Sequence, residues 1–170
     1  MSKTNAFRKG FTLIELLIVI VVIGILATAV LSAINPVEQI RKSQDASKKS
    51  DAAELLNALE RYYATFQMYP WDKTTGSDTP PAPGNAGQTV SGQNWLTDAT
   101  VGLVGVAEIK TEFTSRTNLT FLTVFLDTGT DLVRVCFAPL SKSNLAIAAT
   151  GYNSTGQSVA SLGTHLCVPE

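Results

Sequence analysis

The sequence predicts an α+β fold. A long N-terminal helix, membrane-spanning in its first half and amphipathic in its second, packs on a C-terminal antiparallel sheet of three to four strands. Three observations lead there: residues 11–34 form an almost wholly apolar block, apolar side chains recur at helical spacing from Ala52 to Phe66, and three later runs rich in β-formers are divided by short polar turns. Hydrophobic residues make up 45% of the 170-residue chain, yet the N-terminal block holds a disproportionate share, and the remainder has the make-up of one ordinary domain. A chain so divided meets two solvents.

As a helix rising 1.5 Å per residue, the apolar block is roughly 36 Å long, enough to cross a hydrocarbon core of about 30 Å. Glu15 breaks the pattern near its start. A secretory signal peptide would explain the basic residues before the block and would use Ala27-Thr28-Ala29 as its cleavage site. However, the run exceeds the usual h-region of about 7 to 15 residues, and an acid inside it opposes insertion. An uncleaved signal anchor leaves Glu15 as an unexplained cost. Charge does not fix orientation, because Lys3, Arg8 and Lys9 before the block face Arg41, Lys42, Lys48 and Lys49 beyond it.

The residues that decide are Lys9-Gly10-Phe11-Thr12-Leu13-Ile14-Glu15-Leu16-Leu17-Ile18-Val19. This stretch resembles the processing site of type IV prepilins and of the pseudopilins of type II secretion. The short basic leader, the glycine, the aromatic, the glutamate four residues later and Gly24 all match. The resemblance implies that a membrane-embedded prepilin peptidase cuts after Gly10 on the cytoplasmic side and methylates the new amino terminus at Phe11. It divides the chain into a leader (1–10), a transmembrane helix segment (11–34) and an exported globular domain (35–170). Many members carry a proline in the second half of this helix, where this chain has Ser32; here the break is expected at Asn35-Pro36.

A carboxylate inside a membrane helix calls for a partner. Cleavage before Phe11 creates one, since the α-amino group of an axially offset neighbour can meet Glu15 where water is absent and attraction strong. Passing from lipid into a bundle of apolar helices removes no hydrocarbon from water, so register must come from polar pairing and close packing. Gly24, Ala27, Thr28 and Ala29 form a small-residue patch that would admit a neighbouring helix, or serve only as lipid-facing filler.

Asn35-Pro36-Val37-Glu38 reads as a helix start, with Asn35 as N-cap, Pro36 at the first helical position and Glu38 reaching back as in a capping box. The helix should run to about Gln67. Glu38 and Lys42, and Asp45 and Lys49, have the favourable i,i+4 order, and the polar stretch Arg41 to Asp51 reads as a solvated or inter-subunit face. Ala52, Leu55, Leu56, Leu59, Tyr62, Tyr63 and Phe66 should then face a sheet. Tyr69-Pro70-Trp71 ends the helix, and a segment rich in Gly, Pro, Ser and Thr from Asp72 to Asn94 reads as a long loop. The stretch from Asn94 to Thr117 is a short helix or an irregular connection. Strands are expected at Leu119–Leu126, Leu132–Leu140 and Leu145–Tyr152, with turns at Asp127–Thr130, Ser141–Asn144 and Asn153–Gly156 and a short fourth strand after the last.

Cys136 and Cys167 are the only cysteines. In an oxidising compartment a matched pair reads as one disulfide, against two buried free thiols; a metal site built on Cys136, His165 and Cys167 has too few ligands. In type IV pilins such a bridge commonly bounds a variable loop, which would here include Tyr152 to Leu166. His165 reads as a surface residue. Asp127 and Asp131 could hold Ca²⁺ with loop carbonyls, as in some pseudopilins, although turn-forming aspartates are far commoner. Asn118-Leu119-Thr120 and Asn153-Ser154-Thr155 match the acceptor pattern for N-glycosylation, which is weak evidence for such a site. No catalytic constellation, cofactor motif or metal motif stands out, so neither an enzyme nor a cofactor is expected.

The chain has 13 basic and 14 acidic residues; without Lys3, Arg8 and Lys9 the balance is 10 against 14, or −4. That acidity makes nucleic acid an unlikely partner. The expected partners are further copies in a filament, the prepilin peptidase, the pilus or type II secretion assembly machinery, and membrane lipid before assembly. The expected location is the cytoplasmic (inner) membrane, single-pass with the N-terminus inside, then an extracellular or periplasmic filament. The alternative is a minor pilin or pseudopilin serving adhesion, DNA uptake or protein secretion; Trp71 and Trp95 could stack on bases in the DNA-binding version.

Overall fold

The computed structural model describes residues 10–73, 88–127, 132–152 and 163–169, and the chain divides into two compact units at Val37/Glu38. Lys3, Arg8, Lys9, most of the Gly- and Pro-rich segment, the turn residues 128–131 with Asp131, and the loop 153–162 with Asn153 lie outside the described residues.

In the first unit, α1 (Leu13–Ala33) is a single uninterrupted helix. Its core, Leu13–Ser32, has a mean hydropathy of 3.0 and no buried residue, so every face of this span is available to lipid or to another chain. Thr28 and Ser32, the hydroxyls inside it, donate to Ile25 O and Ala29 O at 2.8 Å, leaving no hydroxyl proton for the hydrocarbon to accommodate. The helix ends where Ile34 turns to extended backbone (ψ 127°), and Pro36 opens α2 (Pro36–Phe66) two residues on. Pro36 has no N–H for a preceding carbonyl and sits at the position where that lack costs nothing.

The core of the second unit forms where α2 meets the sheet. Ala52, Leu55, Leu56, Leu59 and Tyr62 are buried with Val124 and Val135 of the sheet and with Trp71, Trp95, Leu96, Leu103 and Phe113 from the connecting segments. Tyr63 departs from the expected stripe and is 42% exposed, one helical step beyond the buried face. At the helix end Gln67 takes a left-handed conformation (φ 56°); its N–H closes on Tyr63 O at 2.8 Å and its side-chain amide donates to Ala64 O at 3.2 Å, in the role usually given to glycine. The short helix α3 (Pro70–Lys73) then buries Trp71.

The sheet is antiparallel, in the order β1 (Gln88–Thr89), β2 (Leu122–Asp127), β3 (Leu132–Phe137), β4 (Leu166–Val168). The edge strand β1 lies inside what the sequence marks as loop; Val90 beside it is fully buried and its N–H donates to Leu122 O at 3.0 Å. The ambiguous stretch resolves into the four-residue helix α4 (Asn94–Thr97), a run of turns and two 3₁₀ segments, Thr111–Ser115 and Thr117–Phe121. Among those turns the chain folds so closely on Ala99 that Gly105 leaves no room for a Cβ. The second 3₁₀ segment takes Leu119–Phe121 out of the expected first strand, and the expected second strand ends at Phe137 rather than Leu140.

The expected strand Leu145–Tyr152 is a correction: Lys142–Ala148 is a helix, α5. Ser141, which reads as a turn residue, is its N-cap, its Oγ accepting from Asn144 N at 3.4 Å, and the alanines that follow favour helix over strand. Tyr152 keeps only a bridge to His165.

Candidate assembly site

Gly10, Phe11 and Glu15, expected from sequence to serve processing and assembly, lie together at the start of α1. Gly10 and Phe11 precede the helix, and Phe11 is 87% exposed. Thr12 is the N-cap and Glu15 the third helical residue, forming a reciprocal box. Glu15 N–H donates to Thr12 Oγ1 at 3.3 Å, while Thr12 N–H and Oγ1–H donate to Glu15 Oε2 at 2.8 and 2.7 Å. The box places the glutamate charge at the positive end of the helix. Sequence reasoning assigned Glu15 and missed Thr12, although the Thr-x-x-Glu spacing carries the signal. Further along, a Cβ at Gly24 would meet nothing within 4 Å.

The two cysteines do form a disulfide. Cys136 and Cys167 face each other directly in the β3–β4 register, the bond spans a sequence separation of 31, and both residues are buried. Tyr152 packs against the cluster that the disulfide forms with Phe125, and its hydroxyl accepts from Arg134 Nη1 at 2.6 Å. His165 is half-buried rather than on the surface, and that desolvation holds its pKa below the ordinary value. Among the described residues no group of three or more His, Cys, Asp or Glu could hold a metal; Asp127 ends β2.

The polar stretch Arg41–Asp51, expected to face solvent or another subunit, instead buries three charged residues: Asp45, Lys48 and Asp51 are 1%, 4% and 6% exposed. Asp45 accepts from Leu140 N (2.8 Å), Ser141 N (2.9 Å), Ser141 Oγ (2.7 Å) and Asn144 Nδ2 (3.0 Å). Burial pushes its pKa up, and the hydrogen bonds from Ser141, Leu140 and Asn144 outweigh that and hold it below the ordinary value. Burial likewise depresses the Lys48 pKa, opposed by the Asp45 charge; Lys48 Nζ donates to Ala138 O at 3.3 Å. Asp51 accepts from Arg116 (2.7 Å) and Asn118 (2.6 Å). These bonds fasten the N-terminal half of α2 to residues 116–118 and 138–144, where the charge pattern alone reads as a solvated or inter-subunit face.

Trp71 and Trp95, the aromatics on which a base-stacking role rested, are 3% and 0% exposed and pack edge to face at 5.7 Å. They belong to the core, and stacking on a nucleic acid finds no support in them.

Residues 5–31 match the family model for the prokaryotic N-terminal methylation motif. The chain is similar to the fimbrial protein EcpC of Eikenella corrodens, with 33% identity over 105 residues covering 59% of this chain and 67% of that one. It is similar to the type IV major pilin protein PilE1 of Neisseria gonorrhoeae, with 32% identity over 112 residues, 60% of this chain and 57% of the relative. It also resembles the type IV major pilin protein PilE of the same organism, with 35% identity over 78 residues, 42% of this chain and 41% of the relative. No solved structure matches. The motif, the exposed apolar helix followed in the chain by an α+β unit, and the similarity to fimbrial and major pilin proteins place this chain in the type IV pilin family.

Proposed function

We propose that the chain is the precursor of a filament subunit, cut after Gly10 by prepilin peptidase, methylated at Phe11, held in the cytoplasmic membrane by residues 11–34 with its globular unit outside, and then assembled into a pilus-like fibre. The observation that carries this reading is the fully exposed apolar helix with one carboxylate, Glu15, at its beginning. Lipid can cover such a helix, but offers the carboxylate no counter-charge.

In the single chain, Thr12 supplies hydrogen bonds to Glu15 and no charge. A cationic amine on Phe11 of a neighbouring copy would supply one, in a site free of water. Close packing along Gly24 and the small residues after it would complete the contact. Glu15 and Gly24 are thus assembly residues, Gly10 and Phe11 processing residues, and the partners are other copies, the peptidase and the assembly machinery.

N-terminal mass spectrometry of the chain extracted from membranes tests the processing step. Methylated Phe11 is expected; a chain beginning near Val30 would establish ordinary signal-peptide cleavage instead.

A further inference from the structure

We propose that the surface around the first turns of α2, centred on Lys42 with Arg41 and Lys142, is a seat for an anionic phospholipid surface. The inference rests on the membrane-anchoring reading above and adds the lipid class and the residues. Three observations carry it.

The acids of this segment turn inward, and of its bases Lys48 is buried with them while Arg41 and Lys42 stay outside. Asp45 is buried under its four hydrogen bonds, with its charge facing Lys48; Glu38 Oε1 accepts from Lys142 N at 2.7 Å; Asp51 is buried against Arg116 and Asn118. Arg41, Lys42 and Lys142 are exposed. A chain whose net charge is −1 therefore presents a locally cationic surface here.

Lys42 borders apolar surface. Lys42 lies on the rim of a recess of about 280 Å³ whose walls include Phe137, Leu166 and Ile147, and Ile147 is 59% exposed. Basic heads around exposed aliphatic side chains suit the boundary between headgroups and acyl chains.

The chain itself brings this surface to the bilayer. Only Ile34 and Asn35 separate α1 from α2, so Arg41 cannot lie more than about 20 Å from the end of the apolar helix, whatever the angle between them. A second copy offering the same surface would bring cations against cations, whereas an anionic headgroup layer is complementary. Each basic residue near such a layer raises its affinity about fivefold, an effect that salt screens.

The test uses the full chain in lipid nanodiscs made of phosphatidylcholine alone or with about one third anionic phosphatidylglycerol. Acetylation of Lys42 and Lys142 is followed by mass spectrometry, with exposed Lys110 as the internal reference. Both lysines should react about fivefold or more slowly in the anionic discs, relative to Lys110, and recover in high salt. Arg41→Gln should reduce that protection. Equal rates in the two lipids, with Leu13–Ser32 protected from protease in both, would overturn this proposal and leave the anchoring reading intact. Failure of the helix to be protected in either disc would overturn both. Slowing that ignores lipid charge and grows with the number of chains per disc would assign the surface to a second copy and reject the lipid.

Discussion

Asp45 and Ser141 lie 96 positions apart in the chain and share two hydrogen bonds, the Ser141 N–H and Oγ–H both donating to Asp45 Oδ2, at 2.9 and 2.7 Å. The serine thus caps α5 and at the same time ties it to α2. The carboxylate organises a segment that would otherwise present a row of unpaired N–H groups.

Removing that carboxylate should therefore be costly. Asp45→Ala leaves buried donors at Leu140 and Ser141 unmet and should destabilise the globular unit by about 3 kcal/mol, with Asp45→Asn losing less. Thermal unfolding of the detergent-solubilised chain, followed by tryptophan fluorescence, measures the loss. In a double-mutant cycle with Ser141→Ala the two effects should be strongly non-additive. A change within about 0.5 kcal/mol would mean that the four bonds contribute little.

Acid should have the same target. The folded pKa of Asp45 lies below the ordinary value of 3.8, because its hydrogen bonds outweigh the opposing effect of burial. A depressed carboxylate pKa gives stability that is complete above the unfolded value and lost as pH falls through the folded one. Unfolding midpoints should hold steady down to about pH 5 and then fall more steeply in wild type than in Asp45→Asn. Asp98, held at about 2 by hydrogen bonds from Val101 and Thr100, should lose its own contribution as pH falls from the ordinary carboxylate value toward 2.

The Cys136–Cys167 bridge should act on the tail more than on the core. Its sequence separation of 31 corresponds to roughly 3 to 4 kcal/mol in the chain-entropy model. Non-reducing mass spectrometry should join the two cysteine peptides, and Cys136→Ser with Cys167→Ser should speed amide exchange in β4 before α2. Equal exchange in β4 with and without the bridge would contradict this.

The parts of the fold legible in sequence are those with a strong period or a covalent mark. The apolar helix, the stripe from Ala52 to Tyr62, the β2–β3 pair and the cysteine pair all carry one. Charge burial was not legible, because Asp45, Lys48 and Asp51 have the spacing of an ordinary solvated helix face, and only the arrival of residues 116–118 and 138–144 covers them. Helix α5 was misread because Leu145 and Ile147 stand two apart as in a strand, and the Ser141 cap gives its signal only once the Asp45 contact is known. At the N-terminus Glu15 stands out as a charge among apolar neighbours, while Thr12, chemically bland, does not.

Glu15→Ala separates processing from assembly. The peptidase site remains and the helix becomes more comfortable in lipid, so mature monomer should accumulate in the membrane while filaments fail. Each mutant copy still carries a Phe11 amine, so co-expression with wild type should give partial incorporation. Normal filaments from the mutant alone would mean that Glu15 has another role.

The most direct test of the filament account is the intact mass of this chain in fibres sheared from the cell surface. A subunit that begins at Phe11, carries one added methyl group there and has two hydrogens fewer for the disulfide is expected. Absence of the chain from the fibre fraction, or its presence there still carrying residues 1–10, would contradict it.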